Sequence, residues 1–209
     1  AGFQGIERRM QWLGAVQTAA GSIDIVDDYG HHPTEIAATL DALRQAWPGR
    51  RLVLAFQPHR YTRTRDLLDD FAGVLGNFDV LLVTEVYAAG EPPIKGADGR
   101  AICRAVRSRG KLEPVFVNRV EYLATALRDV LRDGDVVVTM GAGHIGAVAH
   151  GLVEKLAAPR AVERRHAAGH DGCPVGHADR RGDIEILEAR AVMGDSVDAR
   201  RFNNRIAVT

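Results

Sequence analysis

Residues 51–86 read RLVLAFQPHRYTRTRDLLDDFAGVLGNFDVLLVTEV. The run opens on the apolar residues Leu52 to Phe56 and passes through a polar, arginine-rich stretch. It then resumes an apolar stripe at Leu67, Phe71, Val74 and Leu75, and closes on a second apolar run over 80–86. The two runs are short and nearly continuous in aliphatic residues, as strands buried on both faces are, while the stripe between them recurs at helical spacing. A strand, a helix and a second strand make a βαβ unit, whose strands lie parallel.

Working outward, the same alternation recurs on both sides. Strands are expected at 22–28, 51–56, 80–86, 114–117 and 135–140, with helices in the gaps. Ile36, Leu40, Leu43 and Trp47 share one helical face that stops at Pro48-Gly49. Ile102, Ala105 and Val106 form a shorter stripe, Leu123, Leu127, Val130 and Leu131 another, and Ile145, Val148, Leu152 and Leu156 the last. The fold class that follows is α/β: a doubly wound, mostly parallel, Rossmann-like sheet with helices on both faces. Residues 8–16 offer one more strand, for the sheet edge. The folded domain is expected to span 1–157. From 158 the helical stripe is lost among Ala, Arg, Gly, Asp and His, and a loose tail is expected over 158–209.

Composition narrows the function classes. The chain has 209 residues, 46% of them hydrophobic, with 27 basic residues against 27 acidic ones. That is enough apolar material for a sizeable core, and the zero net charge leaves no electrostatic footprint for nucleic acid or an anionic membrane. Two cysteines, Cys103 and Cys173, cannot build a disulfide framework, and no apolar run is long enough to span a bilayer. A soluble protein of the reducing cytoplasm is expected. The first residue is Ala and the opening residues lack a signal-peptide pattern, which fits a chain that begins inside a larger protein.

In an open parallel sheet, ligands gather beyond the carboxyl ends of the strands. Four segments fall there; Glu85-Val86-Tyr87-Ala88-Ala89-Gly90-Glu91, past the third strand, is one, and the other three carry distinct chemistry. The first, Asp27-Asp28-Tyr29-Gly30-His31-His32-Pro33-Thr34-Glu35, can bind ribose hydroxyls, hold Mg²⁺ through water or donate to phosphate; the plainer alternative is a solvated loop in which Thr34 or Asp28 caps a helix. The second, His59-Arg60-Tyr61-Thr62-Arg63-Thr64-Arg65, places Arg60 and Arg63 about one helical turn apart, able to grip a carboxylate or phosphate. Its alternative is a surface face paired with Asp66, Asp69 and Asp70. The third, Gly141 to Gly146, matches G-x-G-x-x-G between a strand and a helix. It closes the sheet where a dinucleotide fingerprint would open one, so a tight turn packed against its neighbours is the better expectation. No G-x-x-x-x-G-K-[ST] loop occurs, so any ATPase machinery lies elsewhere. His166, His170, Cys173 and His177 have zinc-compatible spacing but no hydrophobic support, and no metal site is expected. Cys103 reads as a small buried hydrophobe and His150 as a surface or packing histidine.

The wording of these clusters resembles the C-terminal domain of the Mur ligases, in particular of the branch that adds L-alanine to UDP-N-acetylmuramate. The resemblance runs through residues 27–35 and 56–67, Glu85-Val86-Tyr87, Ala89-Gly90-Glu91, Ile94 with Gly96-Ala97-Asp98, and Gly141-Ala142-Gly143 with Ile145-Gly146. Phe3, Gly5, Arg8 and Arg9 are similar to the junction with the preceding domain. It implies an ATP-dependent, amide-forming ligase of peptidoglycan synthesis, working through an acyl phosphate with Mg²⁺, with ATP, L-alanine and UDP-N-acetylmuramate as partners.

By resemblance, Asp27 or Asp28 contacts the ATP ribose, and Tyr29 and His31 meet the nucleotide or the incoming amino acid. His59, Arg60 and Arg63 meet the L-alanine carboxylate and the developing charge. The N-terminal and central domains of such a ligase are absent, so the chain alone is expected to be inactive. Two other classes compete: a nucleotide-binding module with no catalysis of its own, and a docking domain with no small ligand.

Overall fold

The structure, a computed structural model, describes residues 8–158. Phe3, Gly5, the expected tail from 159 onward and its zinc-compatible residues lie outside the described residues. Twelve elements follow in order: β1 (Gln11–Thr18), β2 (Gly21–Asp28), α1 (Pro33–Ala46), β3 (Leu52–Phe56), α2 (Tyr61–Asp66), α3 (Leu68–Leu75), β4 (Val80–Thr84), α4 (Gly99–Ser108), β5 (Val115–Val117), α5 (Leu123–Arg128), β6 (Val136–Met140) and α6 (Ile145–Leu156), with one 3₁₀ turn before α5.

All five expected strands form one sheet, in the order β1-β2-β6-β3-β4-β5. The segment offered for the edge is β1, which pairs antiparallel with β2; every other pairing is parallel. From β2 through β5 the chain steps in one direction across the sheet, then returns so that β6 fits between β2 and β3. Because such crossovers are right-handed, the reversal sends α5 to the face opposite α1, α3 and α4, and α6 packs beside it there. The core divides accordingly. Ile23, Ile25, Val53, Ala55, Leu82 and Val137 meet Leu123, Leu127, Ile145, Leu152 and Leu156 on one side. The alternate sheet residues, including Leu54, Phe56 and Leu81, are fully buried on the other, where the Phe56 and Phe71 rings lie 5.6 Å apart. The doubly wound architecture is therefore as the sequence predicts.

Departures are local. The stripe after β3 is two helices, α2 and α3, with a bend at Leu67 (φ −116°, ψ 21°). The buried Thr64 hydroxyl bonds back to the Arg60 carbonyl at 2.9 Å, a competition that bends helices. β4 stops at Thr84 rather than Val86, because the Glu85 carboxylate takes the N–H groups of Val86 (2.9 Å) and Gly99 (3.3 Å). Gly99 lies so close to β4 that a β-carbon there would stand 2.1 Å from the Thr84 carbonyl oxygen, so only glycine fits. Cys103 is buried in α4 and burial pushes its thiol up to about 11, the inert hydrophobe that was expected. His150 is exposed.

Candidate functional site

Register decides which loops meet. Asp28 and Phe56 both pair with Met140, so β2, β6 and β3 end level and deliver Tyr29, Gly141 and Gln57 to one rim. β6 is also where the winding reverses: α6 leaves it for one face while α1 and α2 leave its neighbours for the other. Loops diverge at such a switch point and leave a crevice.

Five rings line up along this rim. Tyr29 meets His31 edge-on (5.4 Å between centroids), His31 meets His59 (5.4 Å), His59 stacks on Tyr87 (5.5 Å), and Tyr87 meets His144 edge-on (4.7 Å). The row draws on four loops far apart in sequence. Beside it Gln57, Glu85, Tyr87, Ala88, Asn118 and His144 are among the residues lining a cleft of about 530 Å³.

The three arginines of the second cluster diverge. Arg63 donates from Nη1 to His59 Nδ1 (3.1 Å) and to the His59 carbonyl (3.2 Å). An arginine can only donate, so His59 accepts at Nδ1 and the proton of its neutral ring sits on Nε2. Arg60 instead caps the start of α2 at φ 70° and pairs with Glu91 at 3.4 Å. Arg65 makes the surface pair with Asp66, and Asp69 belongs to Arg109, so the plain salt-bridge alternative holds for that part of the cluster alone.

Burial depresses the His59 ring below the ordinary imidazole value of 6.5, helped by the neighbouring charges of His31, Arg63 and Arg60 and opposed by Glu91. Its folded-state pKa therefore lies below its unfolded one. The associated stability is intact above pH 6.5 and is lost as pH falls toward the folded value. Urea midpoints at pH 7.5 and 5.0 should accordingly fall further for the wild type than for His59→Gln; equal losses would disprove the coupling.

The first cluster behaves differently from its expectation. Asp27 is fully buried; its Oδ2 accepts from Arg8 Nε (2.8 Å) and its Oδ1 from the Thr139 hydroxyl (2.6 Å). Asp28, 3% exposed, accepts from the N–H of Gly30 (2.7 Å) and of Met10 (2.8 Å). Burial raises the Asp28 carboxyl, against those two N–H groups and Arg9, and with the like charge of Asp27. A ribose contact at either residue would have to displace these partners. Both carboxylates hold the loop and the N-terminal strap in place.

The helix cap is His32, whose Nδ1 accepts from the Thr34 N–H (3.3 Å), while Glu35 takes the N–H of His31 and His32; neither Thr34 nor Asp28 does this work. Of the residues the resemblance named in this cluster, that leaves Tyr29, 38% exposed beneath the guanidinium groups of Arg8 (5.1 Å) and Arg9 (5.7 Å), and the half-buried His31.

Gly141 to Gly146 is a close-packed turn. Gly141 sits at φ 146°, and β-carbons at Gly141 and Gly143 would lie 2.6 and 2.5 Å from oxygens of Gln57. Gln57 Oε1 receives the Ile145 N–H at 3.0 Å and so fixes the start of α6. At Gly146 the space is filled by Arg8, whose Nη2 also donates to the Gly141 carbonyl at 2.6 Å.

Sequence reasoning gave no role to Arg8, Gln57, Tyr87, Glu91 or His144. A polar residue just past a buried strand was the available signal for Gln57; the others come from pairings distant in sequence.

An open, mostly parallel α/β sheet with a ring-lined rim at its switch point places the domain in the doubly wound class. The family model for the Mur ligase, glutamate ligase domain, matches residues 8–143, and the chain belongs to that family. Among solved structures it is similar to a UDP-N-acetylmuramate-alanine ligase from Thermotoga maritima, at 29% identity and TM-score 0.58 over 73% of this chain and 30% of that one. It also shares its fold with a murein peptide ligase from Psychrobacter arcticus (24% identity, TM-score 0.58, 77% and 32%). A bifunctional folylpolyglutamate synthase/dihydrofolate synthase from Yersinia pestis, complexed with AMPPNP and Mn ion, shows the same fold at 14% identity (TM-score 0.52, 72% and 32%). The chain thus spans about a third of the length of these proteins. No helix among the described residues is long and apolar enough to cross a membrane.

Proposed function

We propose that this domain serves an ATP-dependent, amide-forming ligase that joins L-alanine to UDP-N-acetylmuramate in peptidoglycan synthesis, in the cytoplasm. The observation that carries the reading is the grouping of Arg60 and Arg63 around His59, whose ring stacks on Tyr87 in the wall of the cleft. Two guanidinium groups can hold the carboxylate of an amino acid, and a neutral imidazole with its proton on Nε2 can donate to charge developing as the amide forms. The ring nitrogen committed to Arg63 is not free to act as a base, so His59 is a donor in this scheme.

Tyr29 and His31 offer the ring surface and the ring nitrogen for a nucleotide. We place the nucleotide there in preference to Asp27 and Asp28, whose oxygens are engaged from within. On this reading Mg²⁺ would be held mainly by the central domain of the complete ligase, together with the phosphates of ATP. When bound it would neutralise phosphate charge. Carboxylate activation would fall to the N-terminal and central domains, which such a ligase requires.

The test supplies those domains, mixed with the chain or fused to it, and follows phosphate release with ATP, Mg²⁺, UDP-N-acetylmuramate and L-alanine. Alanine-dependent release by the reconstituted ligase is the expected result, with none from the chain alone. If the fused protein hydrolyses or binds ATP without any dependence on alanine, the domain is a nucleotide-binding module instead.

A further inference from the structure

We propose that Glu91 is a positioning residue: its carboxylate staples the loop after β4 to the loop after β3 and so sets Arg60 on the rim, next to the cleft-lining Tyr87. This rests on the reading that Arg60 and Arg63 receive the carboxylate of the amine substrate. Beyond Thr84 the sheet pairing lapses, resumes as a single bridge between His59 and Tyr87, and gives way to a turn closed by the Glu91 N–H on the Ala88 carbonyl (3.0 Å). Facing that turn, the chain enters α2 through Arg60.

The backbone on both sides is held in conformations that side-chain-bearing residues rarely adopt: φ is 70° at Arg60 and 49° at Ala89, with Gly90 at 85°. Such conformations persist only where surrounding contacts over-determine them. Here the contacts are explicit. The Tyr87 N–H donates to the Pro58 carbonyl (2.8 Å) and the Arg60 N–H to the Tyr87 carbonyl (2.9 Å). Glu91 completes the set, with Oε2 accepting from the Thr62 N–H (3.0 Å) and Oε1 from the Thr62 hydroxyl (2.7 Å), 3.4 Å from Arg60 Nη1.

Two features make this more than a loop contact. Helix α2 has no side-chain cap from its own N-cap residue, so Glu91, reaching from another loop, supplies the missing acceptor. The ion pair is also graded in exposure, with the Glu91 side chain 17% exposed and that of Arg60 47%, so the carboxylate is the inner anchor and the guanidinium the outer, presented group. A guanidinium carries five N–H donors, and the pairing with Glu91 engages a single nitrogen. The Thr62 N–H and hydroxyl hold the Glu91 carboxyl below its ordinary range, against a small burial effect and with help from Arg60, so the staple stays charged at neutral pH.

The experiment measures KM for L-alanine and kcat in the reconstituted ligase for Glu91→Ala, Glu91→Gln, Thr62→Ala and Arg63→Ala. Loss of a charge-assisted positioning contact is expected to raise KM about tenfold in Glu91→Ala with kcat within about twofold. Glu91→Gln, which keeps an acceptor for Thr62, should recover most of that loss, a rescue that general loosening of the fold would not give. If Glu91→Ala does not fold, Thr62→Ala carries the test with a smaller rise in the same direction. Wild-type KM in the Glu91 and Thr62 variants while Arg63→Ala raises it would overturn the positioning role alone. Wild-type KM in Arg63→Ala as well would remove the carboxylate reading beneath it.

Discussion

Arg8→Ala is expected to cost about 3 kcal/mol of folding stability, toward the lower end of the range for breaking a buried ion pair. The substitution leaves Asp27 fully buried with only the Thr139 hydroxyl to answer its charge. It also removes the donor to the Gly141 carbonyl and the guanidinium that packs over Gly146. With a urea dependence of about 2 kcal/mol per molar, the midpoint should drop by roughly 1.5 M. The double variant Arg8→Ala/Asp27→Asn should regain part of the loss, because the uncompensated charge is gone. A midpoint shift under about 0.3 M in the single variant would show that solvent reaches Asp27 and that the strap before β1 is dispensable.

The second large effect belongs to Arg63. On the proposed function, Arg63→Ala removes a charge-assisted contact worth about 1.5–3 kcal/mol, so kcat/KM for L-alanine should fall roughly ten- to hundredfold in the reconstituted ligase. Arg63→Lys should recover little, since a single ammonium cannot reproduce the forked geometry that also reaches the His59 ring and carbonyl. Stability should change by less than about 1 kcal/mol, because the side chain lies at the partly exposed rim. A variant with unchanged alanine dependence would dismiss the carboxylate contact.

Much of the fold is legible in the chain because burial on both faces leaves a simple mark. Leu52 to Phe56 and Val136 to Met140 are apolar almost throughout, since strands in the middle of a covered parallel sheet have no solvent side. Edges are harder to read. β1 mixes polar and apolar residues because only Val16 and Thr18 are buried, and its register shifts at a bulge between Trp12 and Gly14. The break at Leu67 has no proline or glycine to announce it, and the apolar stripe runs on through it.

The candidate site divides the same way. Arg60, Arg63, His59, Tyr29 and His31 stand in two short segments whose chemistry is visible at once, and the rule that ligands gather past the strand ends puts both segments on one rim. Local sequence determined that much: which residues form strands, which polar clusters follow them, and that these clusters share an end of the sheet. Tertiary structure decided how the charges are used. Asp27 and Asp28 look as available as Arg63 in the sequence, yet the strap from Arg8 to Met10 folds back across the rim and engages them. Glu91 has no assigned use in the sequence, and the parallel pairing of β3 with β4 brings its loop against Thr62. The physical reason is that patterning records burial, which recurs along an element with that element's own period, whereas the partner of a single charge is fixed by contacts between segments tens of residues apart.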